Sequence, residues 1–261
     1  MIANYHTHTK RCKHAGQYAD REYVEAALAA GMQTLGFADH TPYFFTGAPG
    51  GYYSTFRMRP SEFPGYVKSM EELKREYSGR IELLTGLETE YYPRHFKELL
   101  AFLRDFPINY LILGQHFIEN EYDAPQGGIC TGDRDVVRRY CRQSMEAMDT
   151  GVFTYFAHPD KMIYYGDQNF YREAVRPMCA MARELGIPLE LNLEGVRKKL
   201  HYPNPVFWQV AKEEGCQAVL GADAHSPDQI SDPEAERAAL KLAQSYGLTV
   251  LDRVALRSVH R

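Results

Sequence analysis

The chain has 261 residues, 44% of them hydrophobic, and a formal net charge of -4, which offers no basic field for a nucleic acid backbone or an anionic membrane surface. Charges or glycines break every apolar run before the ~18 residues a membrane helix needs, and no basic segment, apolar core and cleavage site opens the chain. A cytoplasmic protein acting on a small molecule, folded as one domain over residues 1–261, is the expectation. Five cysteines, odd in number and without C-x-x-C spacing, read as free thiols of a reducing compartment.

Short apolar segments ending in polar residues alternate with amphipathic stretches, a βαβα rhythm that predicts a parallel sheet or barrel. Ile2 to His6 reads as the first strand, and Asp20 as the cap of a helix carrying Val24, Ala27 and Leu28 on one face and stopped by Gly31. After a strand from Thr34 to Asp39, the connection His40 to Arg59 is long and rich in Gly, Pro and aromatics, as functional lids are. Tyr66, Met70, Leu73 and Tyr77 then form one apolar helical stripe, with Gly79 as its stop. Strands follow at Ile81 to Glu88 and Tyr110 to His116, separated by a second long connection, Phe117 to Gly132, from one at Val152 to His158. Pro188 to Leu193 and Ala218 to Asp223 complete seven strands, and Ser231, Asp232 and Pro233 start the last helix.

Ten histidines occur, and five of them, His6, His40, His116, His158 and His225, close or immediately follow a strand. In a parallel barrel all such ends share one face, where active sites of these folds are built. His6 and His8 are two apart, so in extended chain both imidazoles reach one metal ion. Glu88 and Asp223 each follow a largely apolar strand; a buried carboxylate needs a paired charge or a metal, and Glu88 can bridge two cations as an imidazole cannot. Mixed imidazole and carboxylate donors suit Zn, Mn or Fe rather than Ca or Mg. His95 and His260 read as surface residues.

At these residues the sequence resembles the polymerase and histidinol phosphatase (PHP) superfamily and, within it, the histidinol-phosphatase branch. The landmarks are His6-Thr-His8 with Cys12-Lys-His14, Phe37-Ala-Asp39-His40-Thr-Pro42, Gly86-Leu-Glu88, His116-Phe117, His158-Pro-Asp160, Gly195-Val-Arg197, Tyr202-Pro203 and Ala222-Asp223-Ala-His225. The resemblance spans nearly the whole chain and implies one PHP-type domain, a distorted TIM-like (β/α)7 barrel, with three divalent transition-metal ions at the C-terminal ends of the strands. It implies His6, His8, Glu88 and Asp223 around the first ion, Glu88, His116 and His158 around the second, and His14, His40 and His225 around the third, with Asp39 a rival or additional ligand. Leu193-Glu194-Gly195 departs from the Asn-Thr-Ser-Gly common in the family, and Gln115 stands where a small residue is common.

The implied reaction is phosphomonoester hydrolysis, of L-histidinol phosphate before other small phosphorylated metabolites, by a hydroxide bridging two cations. Arg197 would bind and neutralise phosphoryl oxygens, His225 belongs to both the metal and the catalytic set, and His201 would line the substrate pocket. Asp160 would protonate the leaving alkoxide or orient His158. An amidohydrolase-like hydrolase and a catalytically silent metal-binding regulatory domain are the alternatives.

Overall fold

The computed structural model describes residues 1–124 and 129–259. A two-residue strand β1 (Ala3–Asn4) is followed by helix α1 (Asp20–Ala29) and strand β2 (Thr34–His40). Helix α2 (Phe63–Glu76), strand β3 (Glu82–Thr89), helix α3 (Pro93–Leu103) and strand β4 (Tyr110–Leu113) continue the alternation. A short β5 (Cys130–Thr131), helix α4 (Arg134–Asp149), β6 (Phe153–Phe156), a short β7 (Ile163–Tyr164) and helix α5 (Gln168–Glu184) come next. The remainder runs through β8 (Leu189–Asn192), α6 (Leu193–Arg197), α7 (Pro205–Glu213), β9 (Gln217–Gly221), α8 (Pro233–Tyr246) and β10 (Thr249–Leu251).

The main sheet is parallel throughout, in the order β1-β2-β3-β4-β6-β8-β9-β10, and β5 and β7 form a separate ribbon. It curls until the continuation of β1 meets the segment after β9. There Thr7 bridges Ala224, the His8 amide donates to the Ala224 carbonyl at 2.8 Å, and the Ala222 amide donates to Asn4 Oδ1 at 3.0 Å. The result is a distorted TIM-like barrel, pulled shut at the rim that carries the strand C-termini. All seven expected strands form; the ribbon strands β5 and β7 were not expected, nor was β10, an eighth strand of the main sheet beside β9. Only three residues long and half-exposed, it lacks the apolar run that marks the others.

Alternation along each strand separates two cores. Leu35, Phe37, Leu83, Leu87 and Leu111 pack with the helix stripes, those of Tyr66, Met70 and Leu73 included, while Ala38, Leu84, Tyr110, Ile112, Tyr155 and Val219 fill the barrel interior. Gly36 and Gly86 leave room for the Tyr110 ring, which a Cβ at either would overlap. Gly31 and Gly79 adopt φ of 74° and 77° just beyond α1 and α2, the left-handed stops their positions suggest. Asp232 caps α8, accepting from the Ala235 amide.

Two local expectations are corrected. Asp20 is not a cap: Ala19 holds that position, and the Asp20 carboxylate instead accepts from Arg11 at 2.8 Å and Ser69 at 2.6 Å. His95 is buried rather than on the surface, at 2% exposure, because it shares the inner face of α3 with Leu99 and meets the rings of Tyr43 and Phe45. His260 and residues 125–128 of the second long connection lie outside the described residues. Among the described residues no helix is long and apolar enough to cross a membrane.

Candidate metal centre and active-site cleft

Glu88 lies at the centre of the rim. It shares the inward face of β3 with Leu84, and Gly114 makes way for it, since a Cβ there would overlap its carboxylate. Its two oxygens face two groups of imidazoles. Oε1 is 2.7 Å from His158 Nε2 and 3.5 Å from His116 Nε2; Oε2 is 3.1 Å from His40 Nδ1, 3.4 Å from His8 Nε2 and 3.6 Å from His6 Nε2. Asp223 approaches from beyond β9, its Oδ1 3.1 Å from His8 Nε2 and 3.5 Å from His6 Nε2. His158 and Asp223, each just past a strand end, hold φ of 31° and 46°, a backbone region that costs about 1–3 kcal/mol for a residue with a Cβ and is kept where the surroundings dictate it.

The imidazoles are oriented from behind. His6 gives its Nδ1 proton to Glu190 Oε1 at 2.8 Å, His116 to Glu90 Oε1 at 2.9 Å, and His225 to the Asp223 carbonyl at 3.0 Å. That fixes the tautomers and leaves each Nε2 lone pair pointing into the rim. His6 Nε2 then faces His8 Nε2 at 3.1 Å, and His14 Nε2 faces His225 Nε2 at 2.9 Å. Ring nitrogens so close need a cation, a metal ion or a proton, between them. His158 Nδ1 is buried without a partner. Among the described residues the donors fall into four triads, His6–His8–Asp223, His6–Glu88–His158, His40–Glu88–His116 and His8–Cys12–His40, each compact enough for one ion, so the residues fit several divalent metals.

Electrostatics keep the two carboxylates and four of the histidines in the form a metal requires. Burial raises the carboxyls of Glu88 and Asp223, but His40, His116 and His6 around the first, and His6, His8 and His225 around the second, hold both well below the usual range. Burial depresses His40 and His158, and with the neighbouring His8 it takes His14 to about 4 and His225 to about 3, leaving these rings neutral at physiological pH. His6 moves the other way, because Asp223, Glu190 and Glu88 together outweigh its burial.

Several supporting residues escaped the sequence reading. Glu190 hides in the apolar-looking strand Leu189–Asn192, where it also accepts from the His158 amide and from Asn192; a Cβ on Gly221 would collide with it. Glu90, two residues past Glu88 and on the same face, has an available signal in that spacing. Arg57 and Glu121, one from each long connection, have none. The buried Arg57 guanidinium joins Glu90 Oε2 at 3.0 Å and the Thr41 carbonyl at 2.9 Å, and also clasps Glu121 Oε2. Arg57 and His116 override the burial of Glu90 and bring its carboxyl to about 2. Cys12, read as a plain thiol, sits 3.3 Å from His8 Nδ1 and accepts from the His40 amide.

Three expectations about the site change. Asp39 is within the barrel, but both its oxygens accept from Thr9, from the amide and the hydroxyl at 2.7 Å each, so it braces the turn after His8 while its neighbour His40 faces Glu88. Arg197 is not on the wall of the cleft, and its Nη1 is buried without a partner. Its Nε donates to Asp232 at 2.9 Å and its Nη2 to the carbonyls of Ala222 and Gln229, fastening α6 to the start of α8. Asp160 is buried beneath α7, accepting from the Asn204 amide at 2.5 Å and Trp208 Nε1 at 2.9 Å, and it is not on the wall of the cleft.

Burial lifts the Asp160 carboxyl to about 7. A carboxyl raised on folding stabilises the protein below its unfolded pKa, and that contribution disappears as pH climbs through the folded value. Asp160→Asn, neutral at every pH, should therefore gain in Tm relative to the parent between about pH 5 and pH 8, with kcat changed by less than about threefold. A hundredfold loss of kcat at constant metal content would restore Asp160 to a general-acid role.

A cleft of about 450 Å3 opens over the cluster, with His14, His40, His116 and Glu90 on its wall. Lys161, Glu194, His201 and Tyr202 also line it, and Phe56, Phe117, Met162 and Leu200 make it largely apolar. His201 donates Nε2 to the Lys161 carbonyl at 2.6 Å, and Glu194 holds Lys198 at 2.5 Å and the Tyr202 hydroxyl at 3.1 Å.

Barrel and rim together define a metal-binding α/β barrel with an open site rather than a closed structural one. The chain belongs to the PHP domain family, whose model matches residues 4–194. It is 30% identical over 238 residues, 88% of either chain, to a Deinococcus radiodurans protein named "Probable histidinol-phosphatase". To the histidinol-phosphatase of Bacillus subtilis it is 24% identical over 86% of this chain and 94% of that one. Its fold matches that of a Lactococcus lactis histidinol phosphate phosphatase, solved with Zn, L-histidinol and phosphate, at a TM-score of 0.74 and 21% identity over 100% of this chain and 98% of the other.

Proposed function

We propose that this chain is a metal-dependent phosphomonoesterase and that L-histidinol phosphate is its substrate. The observation that carries the reading is Glu88, whose two oxygens each face a separate set of imidazoles, His40 and His116 of which line the cleft. His6, His8, Glu88 and Asp223 would hold one ion, Glu88, His116 and His158 a second, and His14, His40 and His225 a third. Bound there, such ions lower the pKa of water and withdraw charge from phosphoryl oxygens.

The chain's own residues do the positioning. Glu190 and Glu90 hold the rings of His6 and His116 in one tautomer, so the inward nitrogens need no rearrangement when the phosphoryl group arrives. The cleft beyond the histidines accepts the rest of the ester. Its apolar wall suits a planar ring, and Glu194 on that wall offers negative charge to a protonated amine. An amino alcohol phosphate bearing an imidazole satisfies both, in agreement with the names of the relatives.

The test pairs elemental analysis of the purified protein with phosphate release from L-histidinol phosphate and from p-nitrophenyl phosphate. Release should stop on chelation, return with Zn, Mn or Fe, and show a higher kcat/KM for L-histidinol phosphate. A fully metal-loaded protein inactive on a broad panel of phosphomonoesters would overturn the reading.

A further inference from the structure

Arg197 bonds Asp232 and is not on the wall of the cleft, so a side-chain cation there must come from another residue. Of the residues on its wall, Lys161 is the one Lys or Arg. The other cations nearby are engaged: Lys198 with Glu194, and Arg57 with Glu90 and Glu121. Lys161 Nζ, by contrast, makes no hydrogen bond or ion pair among the described residues; it stands 5.8 Å from the centroid of the Tyr202 ring. Its main chain is held at both ends of the peptide unit. The Lys161 amide donates to the His158 carbonyl at 3.0 Å, closing the turn after that histidine, and the Lys161 carbonyl accepts from His201. Tyr202, beneath the ammonium, has its own ring 6.5 Å from that of His158 and its hydroxyl on Glu194.

We infer that Lys161 binds the phosphoryl group of the substrate, reaching over Tyr202 to oxygens held beside His158. The inference rests on the phosphatase reading and names the cation that reading lacks. An ammonium with no hydrogen bond or ion pair, in a cleft whose two carboxylates are bonded to other groups, is set to receive an anion. Glu194 on the same wall would by itself repel phosphate, and a cation opposite it offsets that charge.

Inorganic phosphate titrated calorimetrically into the metal-loaded protein tests this without turnover, alongside kcat and KM for p-nitrophenyl phosphate and metal stoichiometry. K161M should weaken phosphate binding about tenfold or more and raise KM to match, leaving kcat within about threefold and metal content unchanged, while K161R keeps most of the affinity. Wild-type phosphate affinity in K161M, loss of metal in proportion to loss of binding, or a K161R as weak as K161M would each overturn the assignment. Phosphate held through Lys161 by a protein that hydrolyses no phosphomonoester would sink the phosphatase reading and leave this one intact.

Discussion

Glu88→Gln should reduce phosphatase activity by about a thousandfold or more and leave the protein short of bound metal, because one residue faces both halves of the cluster. Gln keeps the shape but has a single acceptor oxygen. If that oxygen stays toward His158 and His116, an NH2 replaces the Oε2 that lies 3.1 Å from His40 and 3.4 Å from His8. The reverse rotamer aims the NH2 at His158, 2.7 Å away. Either way a donor hydrogen points where a cation would bind, and the negative charge that would balance two cations is gone. Elemental analysis and kcat on p-nitrophenyl phosphate check the outcome. A variant with full metal content and kcat within tenfold of the parent would remove Glu88 from its central role.

Arg57→Met is expected to produce the largest loss of stability, about 3–5 kcal/mol at neutral pH, since it strands two buried carboxylates. Glu90 and Glu121 are 1% and 5% exposed, and the guanidinium between them is 2% exposed, so water cannot replace it. The pH dependence gives the effect a signature. Glu90 has a folded pKa near 2, below its ordinary value, so its pairing stabilises the protein above about pH 4.5 and is lost as pH falls toward 2. The deficit of Arg57→Met should accordingly be greatest at neutral pH and shrink in acid, and adding Glu121→Gln should recover part of it. Urea denaturation across that range measures both. A loss under about 1 kcal/mol, or one independent of pH, would mean that the triad is not what joins the two long connections to His116.

These two residues mark different degrees of legibility. Glu88 could be found from the sequence because it ends an apolar run, and a charge in that place demands an explanation that depends only on its own strand. The same holds for His6 with His8, for His158 and for Asp223. Arg57 could not be found: its significance lies in Glu90 and Glu121, which are 33 and 64 residues away. Glu190 was overlooked for a related reason, since a single acid inside a four-residue strand resembles an outward-facing polar residue until the partner of its inner face is known.

By itself, then, the sequence determined the alternation of strands and helices, the common rim on which imidazoles and acids end, and the metal-binding character of that rim, because periodicity and strand termini are local properties. Tertiary structure alone decided which neighbour each side chain meets. It turned His40 rather than Asp39 toward Glu88, drew Arg197 to Asp232, enclosed Asp160 under Trp208, and left Lys161 facing the cleft. Those outcomes depend on how distant segments come into register and compete for the same donors and acceptors, and no window of adjacent residues contains that competition.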